Sequence, residues 1–537
     1  MTAETLQKLE RLRLLTTAEQ DVASSYNLRE RRQLLAGLAL ILAAAFLLRL
    51  YFAVCFPNII SDDEVFQYLE QAHRLVFKYG IVPWEYRDGM RSWLVPGFLA
   101  GPLKISDIFG ISQPGIYLFL VAATLSALSL SVVLVGFLWG FRTQGAFAGF
   151  ITAAICSVWY ELIYFAPKTL TEPIAAHILV IAVYLAYPGQ PTTNKRRLFA
   201  AGLLFGLIVA VRVQLVPALL VAAIYICRRQ VRDKWIPLIF GGLVTFVLAG
   251  ILDAFTWQYP FQAVASYIWM QLRLEQSHVH GIAPWYYYAV FWLLTWNGAI
   301  VPIAILALFA IRKNLLLGLI AATIIATHML FGYKEYRYVF PAVPFIIILV
   351  GLGMAEVLGY IEKDIKNAGL SSSNTQKLIA TTRAGVILGW AIISGVLASD
   401  HNFLRNWSMR ADEIHAFHFL HNESDLCGVG LLDMNFGIGG YAHLHRDVPI
   451  IVPAKNIAAS FSAYNYALAN PRELPDYWPY AKVRCWSEDK LCVYHRDGSC
   501  EPAPDIELKE VWRRWAVEGR KITGTRPLIF EKSISPP

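Results

Sequence analysis

Residues 34–56 read LLAGLALILAAAFLLRLYFAVCF, and residues 58–97 read NIISDDEVFQYLEQAHRLVFKYGIVPWEYRDGMRSWLVPG. The first stretch is long enough to cross a bilayer as a helix, because a spanning helix needs roughly 20 apolar residues. The second stretch begins with consecutive acidic residues. Acidic residues just outside a span form either a solvated loop or part of a site, since ionisable groups near the bilayer are costly. The first predicted transmembrane helix is therefore expected to be followed by an acidic loop, 57–92.

The composition extends this prediction to the whole chain. Of its 537 residues, 56% are hydrophobic and 16% are charged, and the mean hydropathy is +0.46. Soluble domains carry roughly 25% charged residues, so a polytopic α-helical membrane protein is expected. The net charge of +8 comes from short basic clusters between apolar runs. This pattern is typical of the positive-inside bias, and no nucleic-acid partner is expected.

Eleven apolar runs are predicted to span the bilayer. They lie near 34–56, 114–140, 145–165, 173–189, 198–211, 213–227, 236–256, 286–311, 314–332, 338–359 and 384–400. The stretch 93–111 contains two prolines and two glycines in its first half, and it is expected to be re-entrant or interfacial.

Eleven spans place every basic cluster on one face of the membrane. These clusters are 29–32, Arg142, 194–197, 228–234, 312–313 and the lysine-containing loop 363–383. That face is expected to be cytoplasmic. No cleavable signal peptide is evident, so the first span would direct insertion. The predicted domains are a cytoplasmic tail, 1–33, a transmembrane catalytic domain, 34–400, and an extracytoplasmic region, 401–537.

The C-terminal region reads as a small α/β domain. Strands are predicted in the stretches LCGVGLLDM, DVPIIVP, KVRCWSE, LCVYHRD and PLIFEK, and helices near 411–421, 436–444 and 507–517. A hairpin turning at Glu488 and Asp489 would set Cys485 opposite Cys492. A disulfide there, or one using Cys427 or Cys500, suits an oxidising compartment, while a zinc site is an alternative with non-standard spacing.

The acidic loop gives a site hypothesis when it is drawn as a helix. Four polar side chains then fall about three residues apart, on or near one face: Glu64, Gln67, Glu70 and His73. Asp63 would stand at the helix start, with Ser61 or Asp62 able to cap it. One carboxylate could serve as a general base. The alternative is that these acids only stabilise the helix N-terminus.

The same topology places cations on the outer face. They are Lys168, Arg212, Lys334 and Arg337, with His280 in the long loop 257–285. Singly, each is typical of a side chain reaching the membrane interface, but together they could hold a phosphate. Because nucleotide donors are generally absent there, a lipid-linked phosphate donor is expected. The aromatic stretch 283–296, which includes Trp285, could line its groove or form an interfacial belt.

Metal binding is weakly indicated. The stretch HVH, 278–280, lacks a carboxylate at a suitable spacing. The acidic residues at 62–64 could take a divalent cation together with a phosphate, but neither a metal nor a cofactor is expected.

The acidic segment resembles the first lumenal loop of glycosyltransferase family 22. This family, within the GT-C superfamily, contains the mannosyltransferases that use dolichyl-phosphate mannose in GPI-anchor and N-glycan assembly. The family's pattern reads His-Pro-Asp-Glu, then spaced Gln, Glu and His, then Thr-Trp-Glu and Arg-Ser. The pattern in this segment is similar. The matching residues are Asp63, Glu64, Gln67, Glu70, His73, Trp84, Glu85, Arg91 and Ser92.

Three later segments agree in order. KTLTE (168–172) resembles the family's Arg-Thr-Leu segment, and Asp253 followed by SHVHGIAPWYYY (277–288) resembles its Asp and Tyr-Gly-x-x-Pro-Trp-x-Trp-Tyr. YKEYRYVFPAVP (333–344) is similar to its His-Lys-Glu-x-Arg-Phe-x-x-Pro-x-x-Pro. HLHRDVPI (443–450) is loosely similar to a downstream His-containing segment. The likeness covers about 34–360.

The resemblance implies a metal-independent, inverting transfer of a hexose, expected to be mannose, from a polyprenyl-phosphate donor to a lipid or glycan acceptor. It makes Asp63 the base, with Glu64 beside it, and puts Lys334 and Arg337, together with Arg212 and Lys168, near the donor phosphate. The residues expected to bind substrate are Gln67, Glu70, His73, Trp84, Glu85, Arg91, Asp253, His280 and Trp285. The chain departs from the pattern at Ser61 and Asp62, which replace His-Pro. Asp62 is therefore a rival base. Two further departures are Tyr333 for His and Lys168 for Arg.

Two alternatives stay open from the sequence alone. One is a transporter or flippase for a lipid-linked saccharide, although the charged residues gather on one face and internal repeats are not apparent. The other is a related enzyme that uses another sugar donor. The ending SISPP is unlike an ER-retrieval signal, which favours a bacterial inner membrane with the C-terminal region in the periplasm.

Overall fold

The computed structural model describes residues 27–187, 194–273, 282–453 and 457–514. The chain divides into two compact units. The first unit comprises Met1–Phe52, Leu125–Ile251 and Glu275–Leu404, and the second comprises Ala53–Thr124, Leu252–Leu274 and Arg405–Pro537. The predicted acidic loop therefore belongs to the same unit as most of the C-terminal region.

Apolar helices account for most of the chain from 28 to 404. Their bounds are Leu28–Cys55, Pro114–Gln144, Ala146–Val158, Tyr160–Tyr164, Thr171–Ala186, Lys195–Val211, Val216–Cys227, Ile236–Thr256, Tyr287–Trp296, Ile300–Ile311, Leu315–Met329, Val343–Asn367, Ser372–Ala398 and His401–Leu404. All eleven predicted spans are helical. In the described part of the chain, six helices are long and apolar enough to cross a bilayer. The polytopic helical prediction is confirmed.

Helices extend into two stretches expected to be loops between spans, and a helix also forms in 93–111, which was expected to be re-entrant or interfacial. The loop 363–383 shrinks to a four-residue turn between Val343–Asn367 and Ser372–Ala398, where Ser371 caps the second helix by accepting the Asn374 N–H at 3.4 Å. The loop 257–285 contains the helix Gln262–Arg273. The stretch 93–111 forms the helix Leu94–Ile108, which accommodates Pro102. These helices continue beyond their apolar segments because capping and tertiary packing also stabilise helical turns made of polar residues.

Two helices of the first unit approach each other through glycines. A Cβ added at Gly206 would lie 2.3 Å from the carbonyl oxygen of Gly242, and one added at Gly202 would lie 2.1 Å from that of Leu238. These are backbone atoms that cannot rotate away. The helices Lys195–Val211 and Ile236–Thr256 therefore pack at backbone distance, as small residues permit in membranes.

A single methyl group tests this packing. We expect Gly206→Ala to destabilise the protein by about 1–3 kcal/mol, since overpacking forces the helices apart. The matched control is Gly389→Ala, at a helical glycine with no atom within 4 Å of the added Cβ. It should stabilise by up to about 1 kcal/mol, because Ala is the better helix former. Thermal unfolding in detergent measures both, and equal shifts would contradict the packing.

The second unit contains a mixed five-stranded sheet. Its strands are β1 (Val429–Leu431), β2 (Ile450–Ile451), β3 (Tyr466–Ala469), β4 (Ala481–Trp486) and β5 (Leu491–His495), in the order β2-β1-β3-β5-β4. β1 pairs in parallel with β2 and β3, and the other pairs are antiparallel. Four of the five predicted strands are confirmed, β3 was missed, and PLIFEK lies outside the described residues.

Helices and turns complete the second unit. They are Glu64–Leu69, Glu70–Phe77, Trp84–Arg87, Leu94–Ile108, Gln262–Arg273, Arg405–Ser408, Ala411–His421, Met434–Gly439, Gly440–Leu444, Ile457–Ala463, Pro471–Glu473 and Pro504–Ile506. The predicted helix 411–421 is confirmed. The predicted helix 436–444 divides into a 3₁₀ turn and a short α-helix, and residues 508–514 are helical within the predicted 507–517.

Two disulfides join the four cysteines of the C-terminal region. Cys485 and Cys492 are paired across the β4–β5 hairpin, as predicted, and they are bonded to each other. Cys427 is bonded to Cys500, with their Cα atoms 5.8 Å apart. The turn residues Ser487, Glu488 and Asp489 all have positive φ.

The acidic loop and the sheet share one hydrophobic core. Val65, Phe66 and Ile81 pack in the same buried cluster as Phe417 and Val429. Their burial removes apolar surface from water, so the first loop is a structural part of the C-terminal domain.

Candidate functional site

The acidic segment folds as a helix with an unusual first turn. Ser61 accepts the Asp63 N–H through its hydroxyl at 3.4 Å, as the capping prediction required. Residues Glu64–Leu69 then form a π-helical turn, which continues into the α-helix Glu70–Phe77. Single π-turns within helices are frequent at functional sites.

Gln67 joins two carboxylates. Its Nε2 donates to Asp63 Oδ1 at 2.5 Å and to Glu85 Oε1 at 2.6 Å. Asp63 is half-buried, whereas Gln67 and Glu85 are buried. One amide therefore fixes the orientation of both carboxylates, each of which has further acceptor capacity.

The surroundings of this pair shift its proton affinity. Burial raises the pKa of Glu85 to about 7, and the nearby Asp63 charge adds to the rise while Arg91 opposes it. Burial also disfavours the charged form of Arg91, but Tyr68, Glu85 and Asp63 outweigh it and hold its pKa above the usual value. The carboxylates thus face a permanently charged guanidinium, which can compensate for one negative charge but not for two.

Three predicted site residues of the second unit each have a buried polar atom with no hydrogen-bond partner among the described residues. These atoms are Gln67 Oε1, Arg91 Nε and Asp253 Oδ1. The other oxygen of Asp253 accepts the Ala263 N–H at 3.1 Å, and the Trp257 indole donates to the Arg91 carbonyl at 3.1 Å. Buried polar groups normally have partners, so atoms of this kind are suited to a polyhydroxylated ligand.

The neighbouring acids have different surroundings. Asp62 is exposed. Glu64 is buried, and its Oε2 accepts the Ile60 N–H at 3.0 Å, which ties the carboxylate to the backbone. Of the three consecutive acids, Asp63 has the half-buried position and the bond to Gln67.

Other predicted substrate contacts are distributed unevenly. Glu70 and His73 are fully buried within the second unit. Trp84 is half-buried at the start of the helix Trp84–Arg87. Trp285 lies in the first unit and is 69% exposed. His280 and the HVH stretch fall outside the described residues.

The four predicted cations all belong to the first unit, and two of them, Arg212 and Arg337, lie together. Arg212 stands where the helix Lys195–Val211 ends, and its Nη1 lies 3.0 Å from Glu172 Oε1. Arg337 donates twice to Glu335, at 2.7 and 3.0 Å, and its Nε lies 3.7 Å from Glu172 Oε1. Both guanidinium groups lie 5.2 Å from the ring centre of Tyr338.

The two predicted lysines, Lys168 and Lys334, lie in the same sequence segments as Glu172 and Arg337. Lys334 is buried and donates to the carbonyls of Ala283, at 3.2 Å, and Phe331. Burial lowers its pKa. Lys168 is buried, with its Nζ 5.2 Å from the ring centre of Tyr164. The structure thus brings Arg212 and Arg337 together through a shared carboxylate.

Comparison with known proteins assigns the chain to a family. The model of the Alg9-like mannosyltransferase family matches residues 40–424. The chain belongs to the Alg9-like mannosyltransferase family. It is therefore a glycosyltransferase, and the predicted resemblance is confirmed.

The similar proteins agree with this Alg9-like assignment. GPI mannosyltransferase 3 of Yarrowia lipolytica is 24% identical over 430 residues, which cover 76% of each chain. GPI alpha-1,2-mannosyltransferase 3 of Mus musculus is 25% identical over 321 residues, or 55% of each chain. ArnT from Cupriavidus metallidurans, solved bound to undecaprenyl phosphate, has a TM-score of 0.58 at 12% identity, covering 87% of this chain and 99% of that one. This last likeness shows the GT-C fold.

Reasoning from sequence missed two acidic residues of this Alg9-like mannosyltransferase. Glu172 and Glu335 pair with the arginines expected to be available for phosphate. Both lie inside the quoted stretches KTLTE and YKEYRY, so the available signal was an acid within four residues of a basic residue near a predicted membrane face. The basic residues alone do not show this pairing, because each arginine meets its carboxylate only in the folded chain.

One group of potential metal ligands occurs among the described residues of this Alg9-like protein: Cys485, Asp489 and Cys492. The two sulfur atoms are bonded to each other in the disulfide. Sulfur in a disulfide is not the thiolate that binds zinc, so this group does not fit the zinc alternative.

Proposed function

We propose that the protein transfers a mannosyl group from a polyprenyl-phosphate donor to a hydroxyl of a lipid-linked glycan, with inversion at the anomeric carbon. In this reaction the acceptor O–H proton passes to a base. The acceptor oxygen bonds to the anomeric carbon, and the bond from that carbon to the phosphate oxygen breaks. The bonding of Gln67 to both Asp63 and Glu85 is the observation that carries the proposal.

Asp63 is the proposed base. A base needs an oriented lone pair and access to the acceptor hydroxyl. Asp63 is oriented by Gln67 and is half-buried, whereas Asp62 is exposed and Glu64 is tied to the Ile60 N–H. These differences favour Asp63 over both neighbours.

The four predicted cations are proposed to bind the donor phosphate. In this proposal Arg212 and Arg337 act together with Lys168 and Lys334, which gives four cations against the two carboxylates Glu172 and Glu335. An excess of positive charge suits a phosphate that gains negative charge as its bond to the sugar breaks. Arginines held by carboxylates also need little reorganisation at that moment, because their rotamers are already fixed.

Sugar hydroxyls are proposed to contact the buried polar atoms of Gln67, Arg91 and Asp253. These three side chains offer one donor and two acceptors without partners among the described residues. Trp84 is proposed to contact a sugar face. Trp285, which is exposed in the first unit, and His280 remain predicted substrate contacts.

Transfer assays test the reaction directly. Purified protein is supplied with polyprenyl-phosphate mannose, polyprenyl-phosphate glucose or GDP-mannose, with a membrane lipid extract as the acceptor pool. We expect radiolabelled mannose to enter the lipid fraction from the first donor alone. Equal use of glucose would contradict the sugar assignment. Movement of intact donor across proteoliposomes without transfer would favour the transporter.

Glu85 should give the reaction a recognisable pH dependence. As pH rises through about 7, Glu85 loses its proton, and its negative charge makes Asp63 a stronger base. We expect kcat/KM to rise with pH around this midpoint and the rise to become smaller in Glu85→Gln, where the buried Glu70, whose pKa is also raised to about 7, still titrates. The raised pKa also means that protonation of Glu85 favours the folded state below about 7. Wild type should thus lose stability relative to Glu85→Gln as pH rises. An unchanged profile in the variant would exclude Glu85 as the group responsible.

We further propose that the N-terminus is cytoplasmic and the C-terminal region extracytoplasmic, with a bacterial inner membrane as the predicted location. The positive-inside pattern and the two disulfides support this orientation. In intact spheroplasts, a membrane-impermeant reductant followed by an impermeant maleimide should label Cys427 and Cys500. Labelling that requires permeabilised membranes would reverse the orientation.

A further inference from the structure

The carboxyl group of Glu70 connects the acidic segment to the C-terminal domain. Its Oε2 accepts the Ala442 N–H at 2.8 Å, and its Oε1 accepts the N–H groups of Ile81 and Tyr441 at 2.8 and 3.3 Å. Glu70 is fully buried. Because it accepts three backbone N–H groups, this carboxyl fixes three backbone positions.

A glycine makes this contact sterically feasible. Gly440 has φ of +58°, and a Cβ added there would lie 2.9 Å from Glu70 Oε2 and 3.1 Å from Phe66 Cε1. Any other residue at 440 would therefore press on the carboxyl and adopt a backbone conformation that L residues rarely use.

Two further contacts lie alongside the Glu70 bonds. His73 Nε2 and His445 Nδ1 are 3.0 Å apart, and the Tyr117 hydroxyl donates to the Ala442 carbonyl. The segment 440–445 therefore touches the helix Glu70–Phe77 at both Glu70 and His73.

Glu70 directly follows the π-turn that carries Gln67. The Glu70 N–H closes this turn by donating to the Val65 carbonyl. Fixing Glu70 therefore fixes the end of the turn, and hence the amide that orients Asp63 and Glu85.

We propose that the segment 440–445 holds the acidic segment in its reactive geometry, with Glu70 as the positioning residue. The C-terminal domain is then part of the catalytic apparatus, through a segment that lies beyond the residues 40–424 matched by the family model. This inference rests on the proposed role of Asp63. It assigns Glu70 and His73 to positioning, in place of the substrate contact expected from sequence.

Gly440→Ala tests the contact with a mild change. We expect it to lower kcat by about tenfold to a hundredfold, since small displacements of catalytic groups cost this much. The KM for the donor should change less than about threefold, because the proposed phosphate-binding residues are untouched. The matched control, Gly110→Ala, adds the same methyl at φ of +66° with no atom within 4 Å. It should leave kcat within about twofold, as the added methyl meets no catalytic group.

Hydrogen exchange of the amides of residues 64–77 supplies a readout independent of turnover. Faster exchange together with a lower kcat in Gly440→Ala supports the proposal. Faster exchange with normal kcat overturns the positioning role, and unchanged exchange overturns the contact itself. A wrong assignment of Asp63 as the base gives a different result. In that case Asp63→Asn would keep its kcat, while Gly440→Ala would still have a lower kcat.

If Gly440→Ala folds poorly, Glu70→Asp tests the same contact by itself, since it should also lower kcat and speed hydrogen exchange in residues 64–77. Glu70→Asp shortens the side chain by one methylene and withdraws the oxygen that the new Cβ would press against. The double variant should lose no more kcat than the worse of the two single variants, since contacting residues are non-additive. Losses that multiply would show that the two sites are independent and would overturn the proposal.

Discussion

Asp63→Asn is expected to lower kcat by about 10²–10⁴-fold, the range that a positioned general base contributes. Asn has the same size and its amide oxygen can still accept from Gln67 Nε2, so the local fold should survive. What is lost is the ability to take the acceptor proton. Turnover of polyprenyl-phosphate mannose by purified protein measures the loss, and near-normal KM would place it in the chemical step.

Asp62→Asn is the matched control, because it makes the identical change one residue earlier at an exposed side chain. It should keep a rate within about threefold of wild type, as surface substitutions usually do. If Asp62→Asn loses the activity and Asp63→Asn keeps it, the base has been assigned to the wrong carboxylate. Equal losses in both would point to the helix N-terminus as a whole.

Arg337→Gln should affect both stability and activity. Arg337 is buried and its two donors bind Glu335 at 2.7 and 3.0 Å. Removing one partner of such a pair costs about 3 kcal/mol or more, because the other charge loses its compensation. In addition, kcat/KM should fall by about 10²–10³-fold if the guanidinium stabilises the leaving phosphate. Thermal unfolding and transfer kinetics measure the two effects.

The double variant Arg337→Gln/Glu335→Gln separates these effects. It removes both charges, so stability should recover in part while activity stays low. Recovery of both would mean that Arg337 is only structural. The matched control is Arg383→Gln, which breaks a similar paired contact with Glu362, at 2.6 and 2.8 Å, where the arginine is 40% exposed. It should cost less than about 1 kcal/mol and leave transfer unchanged.

The helices and the acidic motif could be predicted because their signals are local. Apolar runs report spans directly, and the stretch from Asp63 to Arg91 carries its residues in one continuous segment. The Ser61 cap and the pairing of Cys485 with Cys492 were equally predictable, since each involves neighbours along a helix or across a hairpin.

The remaining features depend on contacts between distant segments. Glu172 and Arg337 meet although they are 165 positions apart, and no sequence period shows that a carboxylate will share two arginines. β3 (Tyr466–Ala469) was missed because its four residues are all buried, without the alternation that identifies a half-exposed strand. The helices around 363–383 extend beyond their apolar segments, and polar residues at a helix end give no hydropathy signal that distinguishes them from a loop.

The bonds of Glu70 also set an order of events during synthesis. Glu70 and Ala442 are 372 residues apart, so the acidic segment leaves the ribosome long before its partner does. At roughly 5–20 residues per second, the wait is about 20–75 seconds. The first loop must therefore remain unfinished while most of the apolar helices are inserted. Assembly of the reactive centre is consequently among the last steps of biogenesis, and an interrupted chain could enter the membrane yet remain inactive.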